Sequence, residues 1–126
     1  MKLNIDCVRD VMLCIEENLS YNSEWTIDKL SDYLPEYSED ELSYTCYKLY
    51  EAELLNVMVV RIAGYVEPQV ARIQSLTFSG HEYLENIRSP KIWQETKSFI
   101  KNAASNASLA IIGEVAKKLT LKSLGI

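Results

Sequence analysis

An α+β, mostly helical fold is predicted by three features of the 126-residue sequence. Apolar residues recur three and four positions apart in the first half and again in the last third, which is typical of helices that bury one face. Between these regions, two β-branched stretches alternate with a period of two. A segment with Gly64 and Pro68 separates the two stretches, as a hairpin turn requires. The sequence therefore predicts helices, then a β-hairpin, then further helices.

Capping residues mark the starts of the first two helices. Asn4 can cap a helix that ends near residues 18–22, and Thr26 can cap a short second helix. Pro35 stops the second helix because the residue before a proline is pushed out of helical geometry. The first helix is expected to bury a stripe of Ile5, Val8, Met12, Ile15 and Leu19.

The third helix begins with a capping box. Ser38 can accept a hydrogen bond from the amide of Glu41, and the Glu41 side chain can reach back to the amide of Ser38. The helix is expected to close near Glu53. Its apolar positions follow at helical spacing and are Leu42, Cys46, Leu49 and Tyr50.

A β-hairpin is predicted after the third helix. Residues 55–61 alternate as a strand, residues 63–68 form the tip, and residues 70–76 form the returning strand. Alternation places Val70, Arg72 and Gln74 on the opposite face of the returning strand from Ala71, Ile73 and Ser75.

Three more helices are predicted beyond the hairpin. Thr77 or Ser79 caps the fourth, and Ser89-Pro90 starts the fifth, since proline is well tolerated in a first turn. A loop is expected at residues 102–106, after which Ser108 can cap the last helix. The apolar face of the fifth helix consists of Ile92, Trp93, Thr96, Phe99 and Ile100, and that of the last helix of Leu109, Ile112, Val115, Ala116 and Leu119.

The order of three helices, a strand, a turn and a strand is typical of the winged helix, which is a helix-turn-helix unit followed by a hairpin wing. Residues 1–88 are expected to form a winged-helix domain. Residues 89–126 are expected to form a C-terminal helical extension that packs on the domain or mediates self-association.

The net charge of −5 is unevenly distributed. Residues 1–87 hold six Lys and Arg against sixteen Asp and Glu, a net −10, whereas residues 88–126 hold seven against two, a net +5. An acidic body with a basic tail suggests two binding surfaces or a contact between tail and body.

A cytoplasmic setting is expected. Three cysteines cannot all pair within one chain, which fits a reducing compartment. The sequence has no apolar run long enough to cross a bilayer, and its start lacks the apolar core of a signal peptide. We expect no membrane partner.

Catalytic and metal-binding patterns are weak in this sequence. His81 is the only histidine, and its surroundings contain no Cys-x-x-Cys or His-x-x-x-His spacing. Cys7 and Cys14 have the character of small core residues. The four glycines are isolated, so no phosphate-binding loop is expected. The interpretation is therefore a protein that is not an enzyme and that holds no cofactor or metal.

Three segments of the sequence resemble a known family. Residues 1–10, residues 76–88 and the group Trp93, Thr96 and Lys97 are similar to the bacterial and prophage proteins of the domain of unknown function 2513 family. The similarity covers about residues 1–101. It implies a winged-helix-like fold and frequent encoding on phage or mobile elements, and it supplies no catalytic residues.

A protein partner is the leading hypothesis for function. Tyrosine combines apolar area with a polar tip and is enriched at interfaces. The apolar stripe of the last helix needs a surface to cover it, and homo-oligomers are common. We expect a regulatory or interaction protein of phage or mobile-element type that binds protein, itself included. An inhibitor of a host factor belongs to the same class. The predicted contact residues are Tyr44, Tyr47, Lys48 and Glu51 on the third helix and Leu109, Ile112, Val115 and Leu119 on the last helix.

The alternative hypothesis is a DNA-binding transcriptional regulator that uses helix 39–53 and the wing at residues 61–72. Its contacts would be Lys48, Arg61 and Arg72. Duplex binding normally needs several cations against phosphates. The acidic third helix therefore disfavours this alternative.

Overall fold

The computed structural model describes residues 1–103 and 108–126, and the described part of the chain contains six helices and two strands. This composition confirms an α+β, mostly helical fold. No helix in the described residues is both long and apolar enough to cross a membrane. The elements are α1 (Ile5–Asn18), α2 (Ile27–Tyr33), α3 (Glu39–Glu51), β1 (Leu55–Val60), β2 (Gln69–Leu76), α4 (Phe78–Ile87), α5 (Pro90–Ala103) and α6 (Leu109–Ser123).

The predicted helix caps are confirmed at four starts. The side chains of Asn4, Thr26, Ser38 and Ser108 each accept a hydrogen bond from an amide in the first turn of their helix. These side chains satisfy amides that have no partner within the helix itself. The loop predicted at residues 102–106 is wrong at its start, because α5 continues to Ala103, and the remaining part lies outside the described residues.

Two bulges change the face pattern of β2. In the antiparallel register, Asn56 pairs with Ser75 but Val57 pairs with Ile73, and Met58 pairs with Arg72 but Val59 pairs with Val70. Gln74 and Ala71 are therefore extra residues on β2, and each interrupts the alternation of side chains. The prediction that Ser75 shares a face with Ile73 is wrong: Ile73 and Leu76 are buried, while the exposed Ser75 hydroxyl accepts from Asn56 Nδ2 at 3.1 Å.

A single residue before α2 extends the sheet. Trp25 forms an antiparallel bridge with Ile73, with N–O distances of 2.9 and 2.7 Å in the two directions. The Trp25 ring stacks on Tyr33 of α2, with their centroids 4.9 Å apart. This bridge holds the segment between α1 and α2 against β2, the returning strand of the hairpin.

The turn into α4 explains the spacing of Thr77 and Gly80. The Thr77 hydroxyl donates to the carbonyl of Glu53 at 2.7 Å and accepts from the amide of Gly80 at 2.9 Å. A Cβ on Gly80 would collide with the backbone carbonyl of Leu54. The segment after α3 and the start of α4 therefore approach closely because position 80 has no side chain.

The chain divides into two compact units, residues 1–81 and residues 82–126, so the division falls inside α4. In the first unit, α1 and α3 bury their apolar stripes, including all three cysteines. In the second unit, α5 packs on α6. Of the predicted α5 face, Ile92, Trp93 and Thr96 are buried, but Phe99 is exposed.

Candidate functional site

The outward face of α3 brings together four predicted contact residues. Leu42, Thr45, Cys46 and Leu49 are buried on the opposite side of the helix. Helical spacing then leaves Tyr44, Tyr47 and Lys48 half-buried and Glu51 exposed. The predicted grouping of these four side chains is therefore present on one helix face.

Lys48 is held in place by its neighbours on that face. Its Nζ lies 2.7 Å from Glu51 Oε1. The same Nζ lies 5.5 Å from the ring centroid of Tyr44 and 5.7 Å from that of Tyr47, within the range of a cation–π interaction. The hydrogen bond with Glu51 raises the pKa of Lys48, so the ammonium is charged and paired. The single cation of α3 is thus neutralised by its own helix.

A groove of about 280 Å³ lies beside this face, between α3 and the hairpin, and we call it the α3–hairpin groove. Tyr44, Tyr47 and Lys48 line one side of it. Met1, Asp40 and Ser43, together with Glu67, Pro68, Gln69 and Val70 from the hairpin, complete the lining. Sequence reasoning missed the hairpin residues of this lining, because their approach depends on how the hairpin packs against α3. The sequence predicts that Glu67-Pro68 lies in the hairpin tip, but nothing local in the sequence directs the tip toward Tyr47.

Carboxylates crowd the start of α3. Its first turn holds Glu39, Asp40 and Glu41. A hydrogen bond with the Asp28 carboxyl raises the pKa of Glu39, and the negative charge of Asp28 raises it further. The helix end that would meet base edges in a helix-turn-helix complex is therefore strongly acidic.

The two arginines proposed for DNA contact are exposed and lie outside the lining of the groove. Arg72 lies opposite Met58 in the sheet register, and its Nη1 donates to the carbonyl of Ala71 at 2.8 Å. Arg61 follows β1 directly. These two cations therefore do not contribute to the groove beside Tyr44 and Tyr47.

The apolar stripe of α6 is used within the second unit. Ile112 is 2% exposed, and Leu109, Val115 and Leu119 are half-buried. The Tyr83 hydroxyl donates to the carbonyl of Leu109 at 2.6 Å, and the Tyr83 ring lies against Gly113. The predicted contact residue Ile112 is consequently not available on the surface of this chain, which reduces the case for α6 as an interface.

The three cysteine thiols are buried in the core. Burial raises the pKa of the Cys7 thiol to about 11, and burial raises the pKa of Cys14 and of Cys46 as well. His81 is exposed, with its Nδ1 3.5 Å from Glu16 Oε2. No group of three potential metal ligands occurs among the described residues. The thiols are therefore protonated at neutral pH and act as apolar core groups.

A family model identifies the family of this chain. A family model described as "Hypothetical protein (DUF2513)" matches residues 2–106. A relative in Haemophilus influenzae, described as an uncharacterized protein, is 29% identical over 124 residues, which cover 98% of this chain and 99% of the relative. No solved structure gives a significant match. The resemblance noted in residues 1–10 and 76–88 is confirmed, and the chain belongs to the DUF2513 family.

Proposed function

We propose that the protein is a non-enzymatic winged-helix module that binds a protein partner through the α3–hairpin groove. The order α1, Trp25 bridge, α2, α3, β1 and β2 supports the winged-helix assignment, since it places a helix-turn-helix unit before a hairpin that lies beside its third helix. In this assignment, α3 is the helix that would ordinarily approach a partner macromolecule.

The observation that carries the proposal is the pairing of Lys48 with Glu51 between two tyrosine rings. A phosphate contact by Lys48 would have to break a 2.7 Å ion pair and would leave Glu51 beside the phosphate. A protein partner can instead use the apolar faces and hydroxyl groups of Tyr44 and Tyr47 without disturbing the pair. The face is suited to a protein surface for this reason.

The charges around the groove indicate the chemistry of that partner. Asp40 and Glu67 line the groove, and the one lysine in it is neutralised by Glu51. The Asp28–Glu39 pair adds negative charge at the start of α3. A partner segment with Arg or Lys side chains is complementary to this field, whereas a nucleic acid backbone is repelled by it.

The proposed function is compatible with the expected cytoplasmic location of the protein. The three thiols are free and buried, which is compatible with a reducing cytoplasm. The expected encoding on phage or mobile elements comes from the family resemblance and would be checked by the neighbouring genes.

Affinity capture from a lysate of the organism that encodes the protein tests the proposal. The wild-type chain should retain a protein that survives nuclease treatment, and the pair of changes Tyr44→Ala and Tyr47→Ala should abolish its retention. Tyr21→Ala is the matched control, because Tyr21 is 95% exposed in the turn after α1 and outside the groove. Retention should be unchanged in this control.

Two outcomes would overturn the proposal. One is the absence of any protein whose retention depends on Tyr44 and Tyr47. The other is a bound species that nuclease removes and that Lys48→Gln, Arg61→Gln or Arg72→Gln weakens, which would establish the DNA-binding alternative.

A further inference from the structure

The strand β1 is an exposed sheet edge. Among the described residues the sheet has two strands, and the Trp25 bridge at Ile73 adds to β2, on the other side from β1. Edge strands present unpaired backbone groups that can pair with another chain. This edge is therefore a surface on which a further strand can be added.

The edge lacks the features that usually protect edge strands. Its sequence, Leu-Asn-Val-Met-Val-Val, contains no charge and no proline. Both bulges place their extra residue on β2, so the residues of β1 follow each other regularly. Charged side chains, proline and edge bulges are the common protections against strand pairing. β1 has none of the three.

Exposed apolar side chains accompany the edge. Met58 is 45% exposed and Val60 is 38% exposed, both on the outer face of the hairpin. Ile62, Tyr65 and Val66 in the turn that follows are also exposed, Val66 to 90%. A second strand beside β1 would remove part of this apolar surface from water.

The charges that flank β1 identify a second copy of this chain as the partner. The exposed Glu53 precedes the strand and the exposed Arg61 follows it. When β1 pairs antiparallel with the same strand of a second copy, the Glu53 end of each strand meets the Arg61 end of the other. Parallel pairing would instead bring like charges together. A two-fold axis repeats the contact between Glu53 and Arg61 at both ends of the strand pair, so one surface of the chain forms the whole interface.

We propose that β1 is the interface of a symmetric homodimer in which two β1 strands pair antiparallel and join two hairpins into a four-stranded sheet. This inference goes beyond the proposed function, because it uses the outer edge of the hairpin and not the α3–hairpin groove. It also differs from self-association through α6, whose stripe packs within its own unit.

Sedimentation velocity of the full chain across a wide concentration range tests the dimer. The wild type should form a dimer that dissociates on dilution. Met58→Lys brings two like charges toward the two-fold axis and should raise the dimer dissociation constant by roughly tenfold or more. Ile111→Lys is the control, since Ile111 is an exposed apolar residue of α6. It should leave the dimer unchanged.

Exchanging the charges of Glu53 and Arg61 distinguishes a weaker dimer from a variant that fails to fold. Glu53→Lys and Arg61→Glu should each weaken the dimer, and the two changes together should restore it, because the opposite charges then face each other again. Circular dichroism verifies that each variant is folded. A wild type that stays monomeric, a dimer broken by Ile111→Lys but not by Met58→Lys, or a double variant weaker than both single variants would overturn the proposal.

Discussion

At the scale of single residues, Lys48 distinguishes the two hypotheses for the third helix. A sequence shows only that one lysine stands among five carboxylates. The structure shows that this lysine is paired with Glu51 and flanked by Tyr44 and Tyr47. Because an exposed pair of this kind contributes little to stability, its main consequence is electrostatic: it removes the cation that a phosphate would need.

The buried thiols predict a loss of stability at alkaline pH. Burial raises the pKa of Cys7 to about 11, above the 9.0 of an unburied thiol, and shifts Cys46 in the same direction. The folded chain thus keeps protons that the unfolded chain releases. The contribution of these thiols to the free energy of unfolding should be constant below about pH 8 and should fall as the pH rises toward about 11.

Urea unfolding at about pH 8 and about pH 10 measures this decline, to which one such thiol contributes up to about 1.4 kcal/mol per pH unit. Tyr83, whose pKa burial also raises, contributes with the same sign. The change Cys46→Ala should reduce the decline, whereas Ser43→Ala should not. A chain that is more stable at the higher pH would contradict the assignment of these thiols to the core.

Gly80 is expected to tolerate no side chain. The backbone carbonyl of Leu54 lies where a Cβ of residue 80 would be. The same carbonyl accepts a hydrogen bond from the amide of Thr77 at 3.1 Å, so it is not free to move aside. Gly80→Ala should therefore lower the free energy of unfolding by roughly 1–3 kcal/mol. Chemical denaturation measures the effect, with Ser79→Ala at the exposed neighbouring position as the control. Equal stability of the two variants would show that the close approach is not needed.

At the scale of elements, the start of α1 is coupled to the start of α3. Asn4 Oδ1 accepts from the amides of Asp6 and Cys7 at 3.0 and 3.3 Å, and its Nδ2 donates to Glu41 Oε1 at 3.0 Å. One side chain therefore caps α1 and also holds the first turn of α3. This link joins two segments that are 37 residues apart.

Asn4→Ala should cost about 1–2 kcal/mol of unfolding free energy, because it removes both the cap and the link. Asn4→Ser should cost less, since serine keeps the cap and loses only the contact with Glu41. Thermal or urea unfolding of the two variants separates the two contributions. If Asn4→Ser were as destabilising as Asn4→Ala, the cap would contribute nothing and the account of α1 would fail.

Helices and the hairpin were predictable from the sequence because their signals are local. Ser38, Asn4, Thr26 and Ser108 each act on amides within three residues, and a sequence displays that spacing directly. The Trp25 bridge was not predictable, since a single paired residue has no periodicity. The bulges of β2 were not predictable either, because the rule that side chains alternate between the two faces of a strand assumes an uninterrupted ladder.

The α3 side of the candidate site was predictable from the sequence, but the hairpin side was not. Spacing on one helix placed Tyr44, Tyr47, Lys48 and Glu51 together. The opposite wall of the groove, from Glu67 to Val70, is determined by the packing of the hairpin against α3, which involves residues distant in sequence. The α6 prediction illustrates the same limit: an apolar stripe shows that a helix needs a covering surface but does not say which one.

At the scale of the whole molecule, charge separates the chain into an acidic and a basic part. Residues 1–87, which contain the groove and β1, carry a net −10. A surface with this charge repels nucleic acid and attracts cationic partners over a distance of about a Debye length, roughly 8–10 Å. The α3–hairpin groove, which Asp40 and Glu67 line, is thus suited to a cationic protein partner.

The central claim is that the α3–hairpin groove binds a cationic protein partner. The change in binding affinity when the charge of Glu67 or of Lys48 is removed tests this claim most directly. Isothermal titration calorimetry with the macromolecule that the wild-type chain retains should give a weaker affinity for Glu67→Gln. It should give an equal or tighter affinity for Lys48→Gln, because that change leaves the Glu51 carboxylate unpaired beside the groove. Glu67 lines the groove, whereas Lys48 is paired with Glu51. An affinity that falls with Lys48→Gln and rises with Glu67→Gln would contradict the account and would identify the partner as an anion.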